Sequence, residues 1–366
     1  MDKARSYTLA LDQGTFSSRA TIYDDSGTVI HSAQQGIQLN RIDTQQVEQD
    51  AEEILDSINT VLISVLSSSP IDTSLIKTAG LATQRSSLLA WKPSTGIAIS
   101  PVLSWQDTRA ADWLANFEKQ TPFIQSRSGL RLSPHYGVSK MHWLLHNDKA
   151  VQHGIMSNDC VITPLASYLL FNITHNKQIN IDIANASRSL LCNLNNRDWD
   201  DDLLSVFDIQ KNTLPYCRPT NFHYGTIRNS TIQMLAVNGD QTAALYGNGE
   251  PEGKSLTVNL GTGAFVLTAI QKDVINTTQF QRSGLLGGIS SSDTERASYY
   301  MEGTVNGAGS AIQWLEKILT DHDMGSLLHQ AFNTIQPGIF INSIGGLGSP
   351  IWRSDIIPCF LDELDT

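Results

Sequence analysis

The sequence predicts an α/β protein made of two similar domains, and three features support that expectation. Its 366 residues exceed one average domain and suit two, at roughly 150 residues each. It opens with a β-β-β-α-β pattern, the alternation of an α/β domain. A strand, a Gly-Thr turn and a second strand then recur late in the chain, as if the opening hairpin had been repeated.

Residues 6–12 (SYTLALD) and 19–24 (RATIYD) alternate apolar with polar groups and are rich in β-branched and aromatic side chains, so they read as strands joined by the turn QGTFSS. A third strand, 27–34, follows Asp25-Ser-Gly. Over 46–67, Val47, Ile54, Leu55, Ile58, Val61, Leu62 and Val65 fall at helical spacing. A strand at 76–82, the loop TQRSS and a strand at 88–91 come next. The stretch 120–235 mixes short helices, 138–147 and 161–170, with Asn-rich loops, and the Asn and Asp density over 172–202 predicts a surface insertion. GDQTAALYG (239–247) reads as a helix opening at its acid. The Gly-rich GNGEPEGK (247–254) reads as a linker, which gives domains of 1–248 and 254–366. Beyond it, SLTVNLGTGAFVLTAI (255–270) lies over TLALDQGTFSSRATIYD (8–24) with Gly14-Thr15 and Gly261-Thr262 in register. A repeat roughly 250 residues apart is too long for a solenoid and implies two similar domains facing a central cleft; the alternative is two unrelated hairpins that share a turn.

The composition, 40% hydrophobic and 17% charged, supplies a sizeable core and excludes a disordered chain. With 25 Lys and Arg against 36 Asp and Glu, the net charge is −11. Binding to nucleic acid or to an anionic membrane needs a basic face, so neither is expected, and any phosphate must be held locally. The opening MDKARSYTLALDQG has no signal-peptide core, and no apolar run approaches the ~18 residues of a membrane helix. A cytoplasmic protein without membrane insertion is expected, and homo-oligomer formation is left open. Cys160, Cys192, Cys217 and Cys359 are scattered without a CxxC, which predicts buried reduced thiols instead of a zinc site or disulfides.

The two Gly-Thr turns are the first candidates for chemistry. Glycine lets the backbone approach a ligand closely, and successive amides at a tight turn form an anion-binding concavity to which a Thr hydroxyl adds a donor. Asp12, just before the first turn, is where a phosphate-bound Mg²⁺ would find a hard oxygen, although an Asp there also caps hairpins. Two look-alikes are set aside. Gly249-Glu-Pro-Glu-Gly253-Lys254-Ser255 has three residues between its glycines where a P-loop needs four, and it precedes a strand instead of opening a helix. Gly307-Ala-Gly309 lacks the third glycine of a dinucleotide fingerprint.

The segments ALDQGTFSSR, TQRSS, LSWQDTRAADW, SGLRLSPHYGVSK, GDQTAALYG, NLGTGAF, EGTVNGAGSAIQWL and GGLGSPIW occur in the order and approximate spacing of the FGGY carbohydrate kinases, and most resemble the glycerol kinases among them. The resemblance runs from residue 8 to about 352 and implies the actin-like (ribonuclease H-like) two-domain ATPase fold, with ATP and Mg²⁺ as cofactors and a small polyol or sugar as phosphate acceptor. By resemblance, Asp240 is the catalytic base and, with Asp12, a metal-associated acid. Gly14, Thr15 and Arg19 form the first phosphate hairpin, and Gly261 and Thr262 the second. Arg85, Ser86, Trp105, His135, Gln241 and Phe265 belong to the acceptor pocket, and Gly309 and Gln313 to the nucleotide side. The bottom-up alternative for Asp240 is the N-cap of its helix.

Two departures bear on the acceptor. Glycerol kinases carry a Glu after the Arg, where this chain has Ser86, and a Tyr after Asp-Pro, where it has His135 after Ser133-Pro134. Glycerol is therefore an uncertain acceptor. The sequence also ends shortly after GGLGSPIW, so an incomplete nucleotide-side domain is expected. The rival reading is a catalytically silent relative that binds a sugar or a protein partner.

Overall fold

The structure is a computed structural model that describes residues 6–251, 253, 255–261, 263–318, 339–353 and 356–361. The chain divides into two compact units, Met1–Gly247 with Gly287–Tyr299, and Asn248–Leu286 with Tyr300–Thr366.

The first unit is organised by a six-stranded sheet. Strands β1 (Tyr7–Gln13), β2 (Ser17–Asp24) and β3 (Val29–Gly36) form an antiparallel meander. On its other side β1 pairs in parallel with Ile76–Thr83, which pairs in parallel with Gln233–Gly239, and Asn221–Thr226 closes the sheet antiparallel to that strand. Leu9, Leu11 and Gln13 occupy the buried register of β1, as the alternation requires.

Helix α1 (Ala51–Ser67) packs against β2 and β3 through Ile54, Ile58, Val61 and Val65, all buried. Each such side chain contributes roughly 1.5–3 kcal/mol on burial. The helix begins five residues later than the apolar spacing predicts. Asp50 accepts hydrogen bonds from the amides of Glu52 and Glu53, which ends the helix there, and Val47–Gln49 is instead a strand of a second, five-stranded sheet.

Two further expectations are corrected. Residues 161–170 are not one helix: Val161–Pro164 is a strand paired with Leu88–Trp91, and the helix Leu165–Ile173 starts only after Pro164. The β-branched run favours the sheet, and a proline has no amide for continuing the ladder. Nor is 172–202 a surface insertion, since Asn180, Asp182, Asn185 and Ser187 are buried. Their polar groups are mutually satisfied, as when Asp182 accepts from the Asn185 backbone and side-chain N–H groups at 2.9 and 2.8 Å. Burial pushes the Asp182 carboxyl up to about 7.

In the second unit Thr257–Leu260 and Ala264–Ile270 form an antiparallel hairpin, and helix Gly309–Ile318 follows the strand Ala297–Val305, whose first three residues belong to the first unit. Cys160 and Cys192 are buried free thiols, but Cys217 is half-buried and Cys359 exposed. Among the described residues no helix is long and apolar enough to cross a membrane.

Candidate active site

Three parallel strands end level with one another. Gln13 stands opposite Thr83, and Thr83 opposite Gly239. The chain leaves these ends as the Gly14-Thr15 turn, the Gln84-Arg85-Ser86 loop and the helix Asp240–Ala244. The carboxyl edge of a parallel sheet is where α/β proteins gather ligand-binding groups.

Arg85 and Asp240 meet here. Arg85 Nε lies 3.7 Å from Asp240 Oδ1, with side chains 5% and 30% exposed. Gly239 makes the approach possible: a Cβ at that position would stand 2.5 Å from Arg85 Cγ and 2.7 Å from Cδ. Asp240 is the first residue of its helix and not the cap; Gly239 holds the cap position, and the Asp240 carboxylate accepts the Gln241 amide at 2.7 Å. Burial holds the Asp240 carboxyl above the usual carboxylate range; Arg85 and the Gln241 amide oppose the shift, and the nearby charge of Asp12 adds to it. Asp12 is exposed on the opposite face of its strand from Leu11 and Gln13; desolvation by its neighbours still raises its carboxyl, against the pull of Arg19. Raised basicity suits a proton acceptor.

The next segment lines the same edge. Ser86 adopts a left-handed backbone (φ 67°), and Ser87 Oγ accepts the Trp105 amide at 2.9 Å. The Trp105 indole N–H donates to Thr15 Oγ1 at 3.0 Å. His135 Nδ1 lies 3.1 Å from the Trp105 carbonyl. A carbonyl can only accept, so Nδ1 carries the proton and Nε2 is left as an acceptor. Burial and the charge of Lys140 lower the His135 pKa and favour the neutral ring. The fully buried Lys140 Nζ donates to the carbonyls of Pro134, His135 and Tyr136 at 3.1, 2.7 and 3.4 Å. Burial pulls its pKa down to about 7, with Asp107 opposing.

Sequence reasoning overlooked the glutamines beneath this surface. Gln13, Gln49 and Gln84 are all buried and bonded to one another through Gln84. One signal was available: Gln13 continues the buried series Leu9, Leu11, a position where an unpaired amide would be costly.

Gly14 donates its amide to Ser17 O at 2.9 Å, closing the first turn. Among the described residues the Thr15 and Phe16 amides donate to no backbone carbonyl. Arg19 stands opposite Asp12 on β2 and donates to Gln34. In the second unit Gly261 N donates to Gly263 O at 2.8 Å, a bond one residue shorter in span than the first turn's, and the Gly309 amide donates to Gly261 O at 2.8 Å at the start of the helix that holds Gln313. Phe265 lies on the returning strand opposite Asn259. Thr262 lies outside the described residues. The structure thus brings together Asp12, Gly14, Thr15, Arg85, Ser86, Trp105, His135, Asp240 and Gln241 in the first unit, while Gly261, Phe265, Gly309 and Gln313 belong to the second.

Among the described residues no three His, Cys, Asp or Glu side chains form a metal cage. Two carboxylates with raised basicity fit a Mg²⁺ that takes its remaining oxygens from phosphate and water.

The N-terminal domain of the FGGY family of carbohydrate kinases matches residues 7–246. The chain belongs to this family. Glycerol kinases from Mycoplasma capricolum subsp. capricolum and Acinetobacter baylyi are 32% and 33% identical to it, over 97% and 96% of this chain and 72% of theirs. The solved Plasmodium falciparum glycerol kinase with ADP superposes with a TM-score of 0.86 at 26% identity, covering 98% of this chain and 72% of that one. A ligand-bound xylulose kinase from Lactobacillus acidophilus shares the fold, with a TM-score of 0.82 at 19% identity over 98% and 72% of the two chains. This FGGY chain has the family's actin-like fold and is an ATP-dependent phosphotransferase with an alcohol group as acceptor, using Mg²⁺.

Proposed function

We propose that this FGGY kinase phosphorylates a terminal hydroxyl of a polyol or ketose longer than glycerol, with Asp240 as the base. The observation behind this reading is the Arg85–Asp240 pair at the carboxyl edge of the sheet. Asp240 takes the proton from the attacking hydroxyl as the new O–P bond forms, and its raised basicity serves that transfer. Arg85 orients the acceptor and holds Asp240 ionised. Trp105 provides an apolar wall, and Ser86, His135 Nε2 and Gln241 provide hydrogen-bonding groups for further hydroxyls. Thr15 and its neighbouring amides hold phosphate, with Arg19 adding positive charge; Gly261, Thr262, Gly309 and Gln313 serve the nucleotide, and Phe265 the acceptor. Asp12 and Asp240 would hold Mg²⁺, which when bound neutralises phosphate charge. In this reading residues 1–248 carry the acceptor side and 254–366 the nucleotide side.

A turnover assay tests it. With Mg-ATP and a panel of polyols and ketoses, ADP release should depend on acceptor and be fastest with one longer than glycerol. No acceptor-dependent release would sink the kinase reading, and glycerol as the best acceptor would sink the choice of substrate alone.

A further inference from the structure

Gln84 is 2% exposed, and both ends of its amide are engaged by residues remote from one another. Its Nε2 donates to Gln13 Oε1 at 3.1 Å and to Gln49 Oε1 at 3.0 Å. Gln13 Nε2 donates in turn to the Gly14 carbonyl at 2.7 Å, and Gln49 Nε2 to the Thr15 carbonyl at 2.9 Å. One arm of the network therefore ends on the backbone of the first Gly-Thr turn. On the other side, Gln84 Oε1 accepts from Ser87 Oγ at 2.9 Å, and that oxygen accepts the Trp105 amide at 2.9 Å. The second arm ends on the tryptophan whose carbonyl fixes His135.

The network has a direction. Gln84 donates toward the turn through Nε2 and accepts from the tryptophan side through Oε1, two roles its amide divides between separate atoms. A buried network with every member satisfied adopts one arrangement, and a shift at either end leaves a buried group unpaired.

We propose that Gln84 is a positioning residue that couples the phosphate turn to the acceptor pocket, so that filling one raises affinity for the other. Gln84 touches neither substrate; it fixes the Gly14-Thr15 backbone relative to Trp105, whereas the direct bond from the Trp105 indole to Thr15 Oγ1 at 3.0 Å ends on a side-chain hydroxyl and leaves the backbone of the turn to the glutamines. The proposal rests on reading those two elements as the phosphate and acceptor sides.

The test is a binding cycle on the full chain with glycerol and MgADP as probes. The quantity read is the factor by which saturating glycerol changes the dissociation constant of MgADP. In the unaltered protein this factor should be about fivefold or more, the usual scale of coupling between sites. Gln84→Glu keeps the size and the acceptor oxygens but removes the N–H donors, and should bring the factor within about twofold of unity while each probe alone binds within about threefold of its original affinity. Ser87→Ala breaks the second arm by removing the donor to Gln84 Oε1 while leaving residue 84 unchanged, and should have the same effect, which keeps the test decisive if Gln84→Glu fails to fold. Coupling that survives in a folded variant overturns the proposal, as does a factor of one in the unaltered protein. Where glycerol does not saturate the protein, xylitol takes its place in the cycle; failure of MgADP, or of both glycerol and xylitol, to bind the unaltered protein rejects the site reading itself, and the proposal with it.

Discussion

Arg85 and Asp240 form an ion pair across the ends of two neighbouring parallel strands, 3.7 Å apart, and Arg85 acts on the Asp240 carboxyl in the opposite direction to burial. If Asp240 is the base, Asp240→Asn should lower turnover by ~10²-fold or more with ATP affinity nearly unchanged. Activity should also fall as the pH drops through an acid limb above the usual carboxylate range, because the protonated form cannot accept a proton. Arg85→Met removes the group that lowers this pKa, so the limb should move to higher pH. A pH profile of kcat/KM reads both, and an unmoved limb removes Asp240 from that role.

Gly239 offers a way to disturb Arg85 without altering any charge. In Gly239→Ala the new methyl would sit 2.5 Å from Arg85 Cγ, and the flexible arginine should yield before the strand does. Acceptor KM should rise by about tenfold, with ATP KM and Tm little changed. A large fall in Tm with unchanged acceptor KM would mean that the backbone had moved instead.

Lys140 predicts a pH-dependent stability. Its pKa is about 7 in the fold and 10.5 in its ordinary state, so between these values the unfolded chain binds more protons than the native one. The contribution of Lys140 to stability should therefore rise as pH climbs from 7 toward 10. Denaturant unfolding of the protein and of Lys140→Met at several pH values across that window checks the sign. Wild-type stability falling relative to the variant over this window would show that the three carbonyls keep Lys140 charged.

Ser86 and His135 bear on acceptor choice. A hydrogen bond to a charged group is worth ~1.5–3 kcal/mol, so lacking a Glu beside Arg85 should weaken glycerol use by about one to two decades. Ser86→Glu combined with His135→Tyr should recover part of it. The left-handed backbone at 86 is already occupied by a residue with a Cβ, so glutamate meets the same kind of strain there. Specificity constants for glycerol and for longer acceptors, in both proteins, decide the matter.

The strands of the meander were legible because β1 alternates cleanly between its faces, and the turn between β1 and β2 because Gly-Thr lies between two such strands. The start of α1 was not legible, since Val47 fits a helical spacing and only the Asp50 carboxylate, bonded to two first-turn amides, stops the helix. The run 172–202 looked solvated because Asn and Asp are usually exposed. What reverses that rule at Asp182 and Asn185 is their pairing with each other, which spacing alone does not reveal. At the site, Asp12 was picked out by its place just before the first Gly-Thr turn, while Asp240, Arg85 and Trp105 came from motif resemblance. Gln49 and Gln84 escaped notice because their partners are remote in sequence: Gln84 bonds to Gln13 across 71 positions and to Gln49 across 35.

The parallel pairing of Ile76–Thr83 with Gln233–Gly239 also orders events during synthesis. Roughly 150 residues separate the two strands, so a nascent chain would display the Gly-Thr turn and Arg85 on the order of ten seconds before the strand preceding Asp240 left the ribosome. During that interval Arg85 would stand without the carboxylate it pairs with in the finished fold.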